Sequence, residues 1–319
     1  MEFRFIGCSD LKVSIVGLGC NSFGARIDES QAIRLVNEAL DRGVSLFDTA
    51  DYYGKRGGSE VILGKALTGR RNEAVIASKF GLPMDEAGER RGASRAYIMQ
   101  AVDASLRRLD TDRIDLYQLH VPDDEVAIDE TLGALEHLKR QGKIRHAGCC
   151  NFQGVHLEAA QAAAKVRGYS GFVSCQNEYN LLARDLETDL VRSLTSHRVG
   201  LLPYLPLAGG LLTGRYLSAE DVTADSRLKS RAGIEQRYMT PGAWLQLGEL
   251  NRLAMQWGRP LLDIAWAWLR SKPYVSSIIA GATTSEQLES NVSSGSQSPP
   301  LSPSELAQID HALLLSKAV

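Results

Sequence analysis

The stretch SLFDTADYYGKRGG, residues 45–58, joins a short apolar run to one aspartate, Asp48, and places Tyr53 five residues beyond it. An aspartate is rarely buried without a partner, so one that ends an apolar run indicates a task for its carboxylate. Two adjacent tyrosines and a glycine-rich turn follow. The same pattern, an apolar run that ends on a polar side chain, recurs along the chain.

Eight short apolar runs rich in β-branched residues have the length of buried strands, and helical patterns lie between most of them. In residues 29–43, for example, Leu35, Val36 and Ala39 share one helical stripe that ends before Gly43. This alternation predicts an α/β fold, a (β/α)8 TIM barrel that takes residues 1–319 as a single domain. The strand runs are VSIVGLGC (13–20), SLFDTA (45–50), AVIASKF (74–80), DLYQLH (115–120), RHAGCCN (145–151), FVSCQNEYN (172–180), VGLLPYLP (199–206) and VSSIIAG (275–281).

Two segments depart from a regular barrel. Residues 2–14, EFRFIGCSDLKVS, have the pattern of an N-terminal β-hairpin that would close the barrel floor. The interval between barrel strands seven and eight is much longer than the others and predicts a long insertion with at least one extra helix. The open dinucleotide-binding sheet is the structural rival, but GLGCNSFG, residues 17–24, has no third glycine in register with that fingerprint, and no acidic residue follows about 20 residues later at a second strand end.

Composition excludes several classes of function. The formal net charge is −2, and charges of both signs are interspersed, so we expect no nucleic-acid or membrane partner. The N-terminus has no apolar signal region, and no apolar run has the length of a membrane span. Five cysteines in no framework spacing favour a reducing, cytoplasmic location and predict no metal site. They are Cys8, Cys20, Cys149, Cys150 and Cys175.

The ends of strands two, three and four predict a cluster of Asp48, Lys79 and His120, with Tyr53 just beyond. A buried lysine beside a carboxylate stays charged, and a charged lysine lowers the pKa of a nearby tyrosine from ~10. Such a tyrosine can give a proton to a carbonyl oxygen, with the histidine orienting that oxygen. No activated nucleophile and no metal-ligand spacing accompany them, so hydride transfer from a nicotinamide cofactor fits best.

At this point the sequence resembles the aldo-keto reductases over nearly its whole length. FDTADYYG with Asp48 and Tyr53, IASKF with Lys79 and LYQLH with His120 are similar to the catalytic tetrad of that family. The family spacing selects Tyr53 over Tyr52. The resemblance implies an NADP-dependent oxidoreductase that reduces aldehydes or ketones, with Tyr53 as general acid.

The resemblance also implies a set of cofactor-binding residues. Asn151 and Gln176 would hold the nicotinamide carboxamide, and Tyr204 would stack on its ring. PLAGGLLTGRY, residues 206–216, is similar to the loop that crosses the pyrophosphate, and IIAGATTSEQLESN, residues 278–291, to the segment that holds the adenosine phosphate. Gly19 and Asn21, at the end of the first barrel strand, complete the predicted cofactor site. Its residues are Gly19, Asn21, Asn151, Gln176, Tyr204, Leu205, Pro206, Leu207, Gly209, Leu211, Gly214, Arg215, Gly281, Thr283, Gln287 and Asn291.

Two departures from the family pattern bear on the cofactor. Cys150 stands where the family often has a serine, and a thiol is a weaker donor. Gly281 and Gln287 occupy the positions of a lysine and an arginine that bind the 2′-phosphate of NADP in many members. Phosphate recognition would then rest on Thr283, Thr284, the helix N-terminus near Ser285, and Arg215. NADP is the expected cofactor, and NAD is the alternative.

Three other functions stay open on the sequence. An NAD(P)-dependent dehydrogenase would use the same residues to oxidise a sugar or polyol. A Schiff-base enzyme would use Lys79 as nucleophile, but such a lysine needs to be neutral and Asp48 opposes that. A cofactor-sensing subunit of a membrane protein would keep the fold without turnover. The substrate, a small carbonyl or sugar, and the oligomeric state are not specified by the sequence.

Overall fold

The computed structural model describes residues 1–224, 226–229 and 232–315. Its strands lie in two sheets, a two-stranded hairpin and a sheet of eight strands. The hairpin consists of β1 (Phe3–Phe5) and β2 (Lys12–Ser14). The eight strands are β3 (Val16–Gly19), β4 (Leu46–Asp48), β5 (Val75–Phe80), β6 (Ile114–Leu119), β7 (Ile144–Cys150), β8 (Ser174–Gln176), β9 (Gly200–Leu201) and β10 (Ile278–Gly281).

Helices follow the strands in the order that the sequence predicts. In α1 the buried side chains include Leu35, Val36 and Ala39, and the helix ends before Gly43, whose φ is +82°. The helices are α1 (Glu29–Asp41), α2 (Tyr53–Ala66), α3 (Arg95–Leu109), α4 (Ile128–Arg140), α5 (Gly154–Arg167), α6 (Leu190–His197), α7 (Ala232–Tyr238), α8 (Pro241–Trp257), α9 (Leu261–Arg270), α10 (Ser285–Gln297) and α11 (Pro303–Leu315).

The eight-stranded sheet is parallel throughout and closes on itself. Its order is β10, β3, β4, β5, β6, β7, β8 and β9. Parallel bridges from Leu201 to Val275 and from Tyr204 to Ile279 join the last strand to the first. The predicted (β/α)8 barrel is therefore confirmed. Because all eight strands run in one direction, their carboxyl ends meet at one mouth of the barrel.

The N-terminal hairpin closes the other end, as the sequence predicts. Ile6, Leu11 and Val13 pack in one buried cluster with the inward-facing Leu46 of β4 and Leu116 of β6. A larger apolar core lies between the outer face of the sheet and the helices. The hairpin therefore fills this end of the barrel with apolar side chains.

The segment between β9 and β10 is long, as predicted, and carries α7 and α8 before the barrel helix α9. One detail differs from the sequence prediction. Strand β9 has only two residues, since Pro203 has no N–H to continue the ladder. Helix α6 begins at Leu190, after a 3-10 turn over Asp185–Glu187. Among the helices of the described ranges, none combines the length and the apolar character needed to cross a membrane.

Candidate active site

The four residues of the predicted cluster converge at the mouth of the barrel. Asp48 is the last residue of β4, Lys79 lies near the end of β5, and His120 directly follows β6. Tyr53 begins α2, one turn beyond Asp48. Neighbouring parallel strands bring these positions together, since β4 pairs with β5 and β5 with β6.

Lys79 and Asp48 form a buried ion pair. The Lys79 ammonium donates to both carboxylate oxygens of Asp48, at 2.8 and 2.7 Å, and to the carbonyl oxygen of Thr49 at 2.9 Å. Burial by itself lowers the pKa of Lys79, but the charge of Asp48, with smaller contributions from Tyr53 and Cys150, outweighs burial and raises the pKa above its usual value. Lys79 is therefore a permanent cation, as the sequence analysis expected.

Tyr53 lies against this ion pair. Its hydroxyl is 3.4 Å from Nζ of Lys79, and the ammonium stands 4.8 Å from the centre of the tyrosine ring. Lys79 lowers the pKa of Tyr53, as predicted, but burial has the larger effect. Burial raises the pKa of Tyr53 above its usual value, and the charge of Lys79 offsets only part of that rise. Tyr53 is consequently protonated at neutral pH and can act as a proton donor.

His120 packs edge-on against Tyr53, with ring centroids 5.7 Å apart. Burial, and secondarily the charge of Lys79, lowers the pKa of His120 to about 3. The imidazole is therefore neutral at physiological pH. Its Nδ1 is buried and has no hydrogen-bond partner among the described residues.

The side chains of three residues assigned to the nicotinamide are hydrogen-bonded to the cluster in two branches, one at Asp48 and one at His120. The Gln176 amide donates to Asp48 at 2.7 Å. The Asn151 amide donates to the carbonyl oxygen of His120 at 2.9 Å, and its oxygen accepts from the hydroxyl of Tyr204 at 2.8 Å. Asn151 adopts φ +60°, a left-handed conformation that asparagine tolerates better than most residues. The strand ends thus fix these side chains relative to Asp48 and His120.

A cavity of about 320 Å³ opens above the cluster. Asp48, Tyr53 and His120 line it, while Lys79 lies beneath them. Half of the sixteen predicted cofactor residues line it as well. These eight are Gly19, Asn21, Asn151, Gln176, Tyr204, Leu205, Pro206 and Gly281.

The other eight predicted cofactor residues lie outside this lining. Leu211 is fully buried and packs in the core, because its loop folds as a 3-10 segment over Ala208–Thr213. The side-chain oxygen of Gln287 accepts from both the N–H and the hydroxyl of Thr283, at 2.9 and 3.0 Å. Leu207, Gly209, Gly214, Arg215 and Asn291 complete this group.

The structure adds cavity residues that the sequence analysis did not assign, among them Leu82, Arg227 and Ile234. Arg227 approaches Gly281 so closely that a side-chain carbon at that glycine would come within 3.1 Å of its guanidinium. Arg227 lies in the long segment before β10, where no periodicity marks its position. Within the described ranges, no cluster of histidine, cysteine, aspartate and glutamate side chains has the grouping that holds a metal ion.

A closed parallel barrel whose mouth carries a buried Lys–Asp pair, a protonated tyrosine and a neutral histidine defines a (β/α)8-barrel enzyme site. Comparison with known proteins names the family. A family model described as the aldo/keto reductase family matches residues 15–314. The chain therefore belongs to the aldo/keto reductase family, and the resemblance inferred from its motifs is confirmed. At this level the predicted class, an NAD(P)H-dependent oxidoreductase, is confirmed as well.

Individual relatives share about a third of their residues with the chain. An uncharacterized oxidoreductase, YrpG, of Bacillus subtilis (strain 168) is 36% identical over 92% of this chain and 90% of its own. A probable voltage-gated potassium channel subunit beta of Arabidopsis thaliana is 33% identical over 98% and 97%. The L-glyceraldehyde 3-phosphate reductase of Escherichia coli (strain K12) is 32% identical over 97% and 92%. The relatives thus include proteins named as enzymes and proteins named as channel subunits.

Proposed function

We propose that the protein reduces aldehydes or ketones to alcohols with NADPH, working as one barrel domain over residues 1–319. The observation that carries this proposal is the contact of 3.4 Å between Nζ of Lys79 and the hydroxyl of Tyr53, at the wall of the cavity. A proton donor must give up its proton while negative charge develops on the substrate oxygen. The fixed cation stabilises the phenolate that remains.

The residues around the cavity suit a nicotinamide cofactor. The aromatic ring of Tyr204 and the amides of Asn151 and Gln176 line one cavity, and Gly281 leaves room where a side chain would meet Arg227. Tyr204 would stack on the nicotinamide, and the two amides would hold its carboxamide. When bound, the cofactor supplies the hydride.

The protein's own residues supply the proton and the orientation. Tyr53 donates a proton to the carbonyl oxygen, and Lys79 stabilises the resulting phenolate while Asp48 keeps Lys79 charged. His120, neutral because of its low pKa, donates a hydrogen bond to the same oxygen from Nε2 in this proposal, since Nδ1 is buried. With a pKa above its usual value, Tyr53 is protonated at neutral pH, the state that proton donation requires.

The rival functions differ in what they require of these residues. A Schiff-base enzyme needs a neutral lysine, and the ion pair with Asp48 holds Lys79 charged. A subunit that only senses a cofactor needs no proton donor beside a buried cation. An oxidative sugar or polyol dehydrogenase uses the same residues in the reverse reaction. The geometry of the site therefore fits this alternative as well as it fits the reductase.

Turnover assays decide between these functions. The protein is mixed with NADPH and a panel of aldehydes and ketones, and in parallel with NADP⁺ or NAD⁺ and a panel of sugars and polyols, while nicotinamide absorbance is followed. Carbonyl-dependent consumption of NADPH that exceeds the reverse reaction supports the reductase. Faster oxidation of a polyol supports the dehydrogenase, and absence of both reactions contradicts the proposal.

NADP rather than NAD is the proposed cofactor. Arg215 is exposed on the loop assigned to the pyrophosphate and forms no ion pair with the described residues, which suits a phosphate ligand. Thr283, in contrast, already uses its N–H and hydroxyl on Gln287. Titration of nicotinamide fluorescence with NADPH and NADH tests this point. Tighter NADPH binding that is lost in Arg215→Gln supports the assignment, and equal binding of the two cofactors contradicts it.

A further inference from the structure

A second cavity, of about 380 Å³, adjoins the first and shares Asn21, Tyr52 and Tyr53 with it. We call it the vestibule. Its remaining lining consists of Ala25, Gly54, Lys55 and Arg56. A substrate whose carbonyl lies at the hydroxyl of Tyr53 would have this space beside it, because Tyr53 lines both cavities.

The vestibule is strongly cationic. Lys55 and Arg56 are its charged lining residues, and no carboxylate lines it. Both side chains are exposed, and neither forms an ion pair with the residues that the structure describes. Arg215 is also exposed without an ion pair to the described part of the chain, so what distinguishes Lys55 and Arg56 is that the two cations are adjacent and line one cavity. Two adjacent positive charges without a counter-ion at the edge of a cavity attract an anion.

The backbone holds these two cations in place at a conformational cost. Residues 54–57 are all left-handed, with φ of +62° at Lys55 and +67° at Arg56, a conformation that side chains other than glycine rarely adopt. The flanking glycines explain why the turn persists. A side-chain carbon on Gly54 would come within 2.4 Å of the backbone nitrogen of Ser59, and one on Gly57 within 2.6 Å of the side chain of Arg108. Strain that the surroundings enforce beside a reactive residue is typical of functional sites.

We infer that the vestibule binds an anionic group, a phosphate or a carboxylate, carried by the carbonyl substrate. The arginine guanidinium suits either group through paired hydrogen bonds, and the lysine adds a compact charge. The substrates preferred by this protein are then aldehydes or ketones that bear an anion. This inference rests on the proposed reductase function and specifies its substrate class.

Variants with asparagine test the inference, because asparagine removes the charge and tolerates the left-handed backbone. The double variant Lys55→Asn/Arg56→Asn is compared with Arg198→Asn, which changes an exposed arginine of the same conformation, φ +52°, at the floor of the barrel. Two pairs of probes are used with NADPH. Glycolaldehyde phosphate is compared with glycolaldehyde, and succinic semialdehyde with butanal.

The measured quantity is kcat/KM for each anionic probe divided by kcat/KM for its neutral partner. We expect this ratio to exceed one in the wild type, to fall as salt is added, and to drop at least about tenfold in the double variant, mainly through KM. The Arg198→Asn ratio should match the wild type. Preference for the phosphate or for the carboxylate probe identifies the anion. A ratio that stays within about twofold of wild type for both pairs overturns the inference.

A binding measurement separates failure of the inference from failure of the proposed function. Ethyl phosphate and butyrate are titrated calorimetrically into the protein, with and without NADP⁺. Suppose that the wild type turns over neutral carbonyls but the ratio of kcat/KM values is the same in the double variant. The reductase function is then supported, and the anion site is wrong. If no carbonyl is turned over, the proposed reductase function is wrong, and the titration alone tests whether the vestibule binds an anion. Binding that the double variant loses then supports an anion site, and no binding overturns it.

Discussion

The side-chain amide of Gln176 donates a hydrogen bond of 2.7 Å to Oδ1 of Asp48, the same oxygen that lies 2.8 Å from the ammonium of Lys79. Gln176 was assigned to the nicotinamide on the basis of the family resemblance. The structure gives it a second contact, with the carboxylate that keeps Lys79 charged. Cofactor binding and proton donation are therefore coupled through one side chain in the proposed mechanism.

Replacing Gln176 with methionine tests this coupling. The side chain keeps its length but loses the donor, so the buried Asp48 carboxylate loses one of its hydrogen bonds. A lost bond to a charged group costs about 1.5–3 kcal/mol, so we expect kcat/KM to fall at least about tenfold and cofactor affinity to weaken. Gln297→Met, at the exposed end of α10, serves as control. Unchanged kinetics in Gln176→Met would remove the residue from the mechanism.

The low pKa of His120 predicts a particular pH dependence. A histidine with a pKa of about 3 is neutral throughout the range from pH 5 to 8, so it contributes no titration to the reaction there. The ratio of kcat between wild type and His120→Gln should then be constant across this range. A ratio that changes severalfold around pH 6.5, the usual pKa of histidine, would show that His120 is protonated during catalysis.

The buried carboxyl of Asp51 should make the free energy of unfolding depend on pH. The residue is 1% exposed, and neither carboxyl oxygen has a hydrogen-bond partner among the described residues. Burial, followed by the charge of Glu60, raises the pKa of Asp51 well above its usual value. The unfolded chain releases this proton above about pH 4, whereas the folded protein retains it, so stability falls as pH rises from there.

Asp51→Asn removes this pH dependence. We expect the variant to exceed the wild type in free energy of unfolding by more than about 1 kcal/mol at pH 7, with the difference vanishing below about pH 4. Urea unfolding over this pH range measures it, with the exposed Asp124→Asn as control. A variant less stable than wild type at pH 7 would show that Asp51 is ionised and well compensated in the folded protein.

The left-handed turn after Tyr53 makes Gly54 a sensitive position. Gly54→Ala adds a carbon that would meet the backbone nitrogen of Ser59 at 2.4 Å and the backbone oxygen of Phe23 at 2.6 Å. Gly69 has a similar φ of +78°, but nothing lies within 4 Å of the added carbon. Alanine costs about 1–2 kcal/mol at either site through its backbone conformation alone. Gly54→Ala should destabilise the protein by at least about 1 kcal/mol more than Gly69→Ala, because backbone must also move. Equal urea midpoints for the two variants would contradict this account.

Much of the fold follows from local patterns. Apolar runs of strand length, the stripe of α1 and Gly43 at its end depend on residues close together in sequence, and the structure agrees with each. The positions of Asp48, Lys79 and His120 followed because parallel strands place their carboxyl ends together. The family motifs added the choice of Tyr53 over Tyr52.

The remaining features depend on packing between distant segments. The pKa of Tyr53 is set by how deeply the ring is buried, and sequence neighbours do not specify that depth. Arg227 reaches the cavity from a long irregular segment, and the hydrogen bond from Gln176 to Asp48 joins residues 128 positions apart. Lys55 and Arg56 are left-handed between Gly54 and Gly57, two glycines that pack closely against Ser59 and Arg108.

The most direct test of the proposed mechanism compares Tyr53→Phe with Tyr52→Phe. Each variant loses one hydroxyl from adjacent residues that line the same cavity, but only the hydroxyl of Tyr53 lies beside Lys79. Steady-state reduction of a carbonyl probe by NADPH should show kcat lowered by about 10²-fold or more in Tyr53→Phe, with cofactor affinity nearly unchanged and with Tyr52→Phe close to wild type. Retention of wild-type kcat by Tyr53→Phe would contradict the assignment of Tyr53 as the general acid.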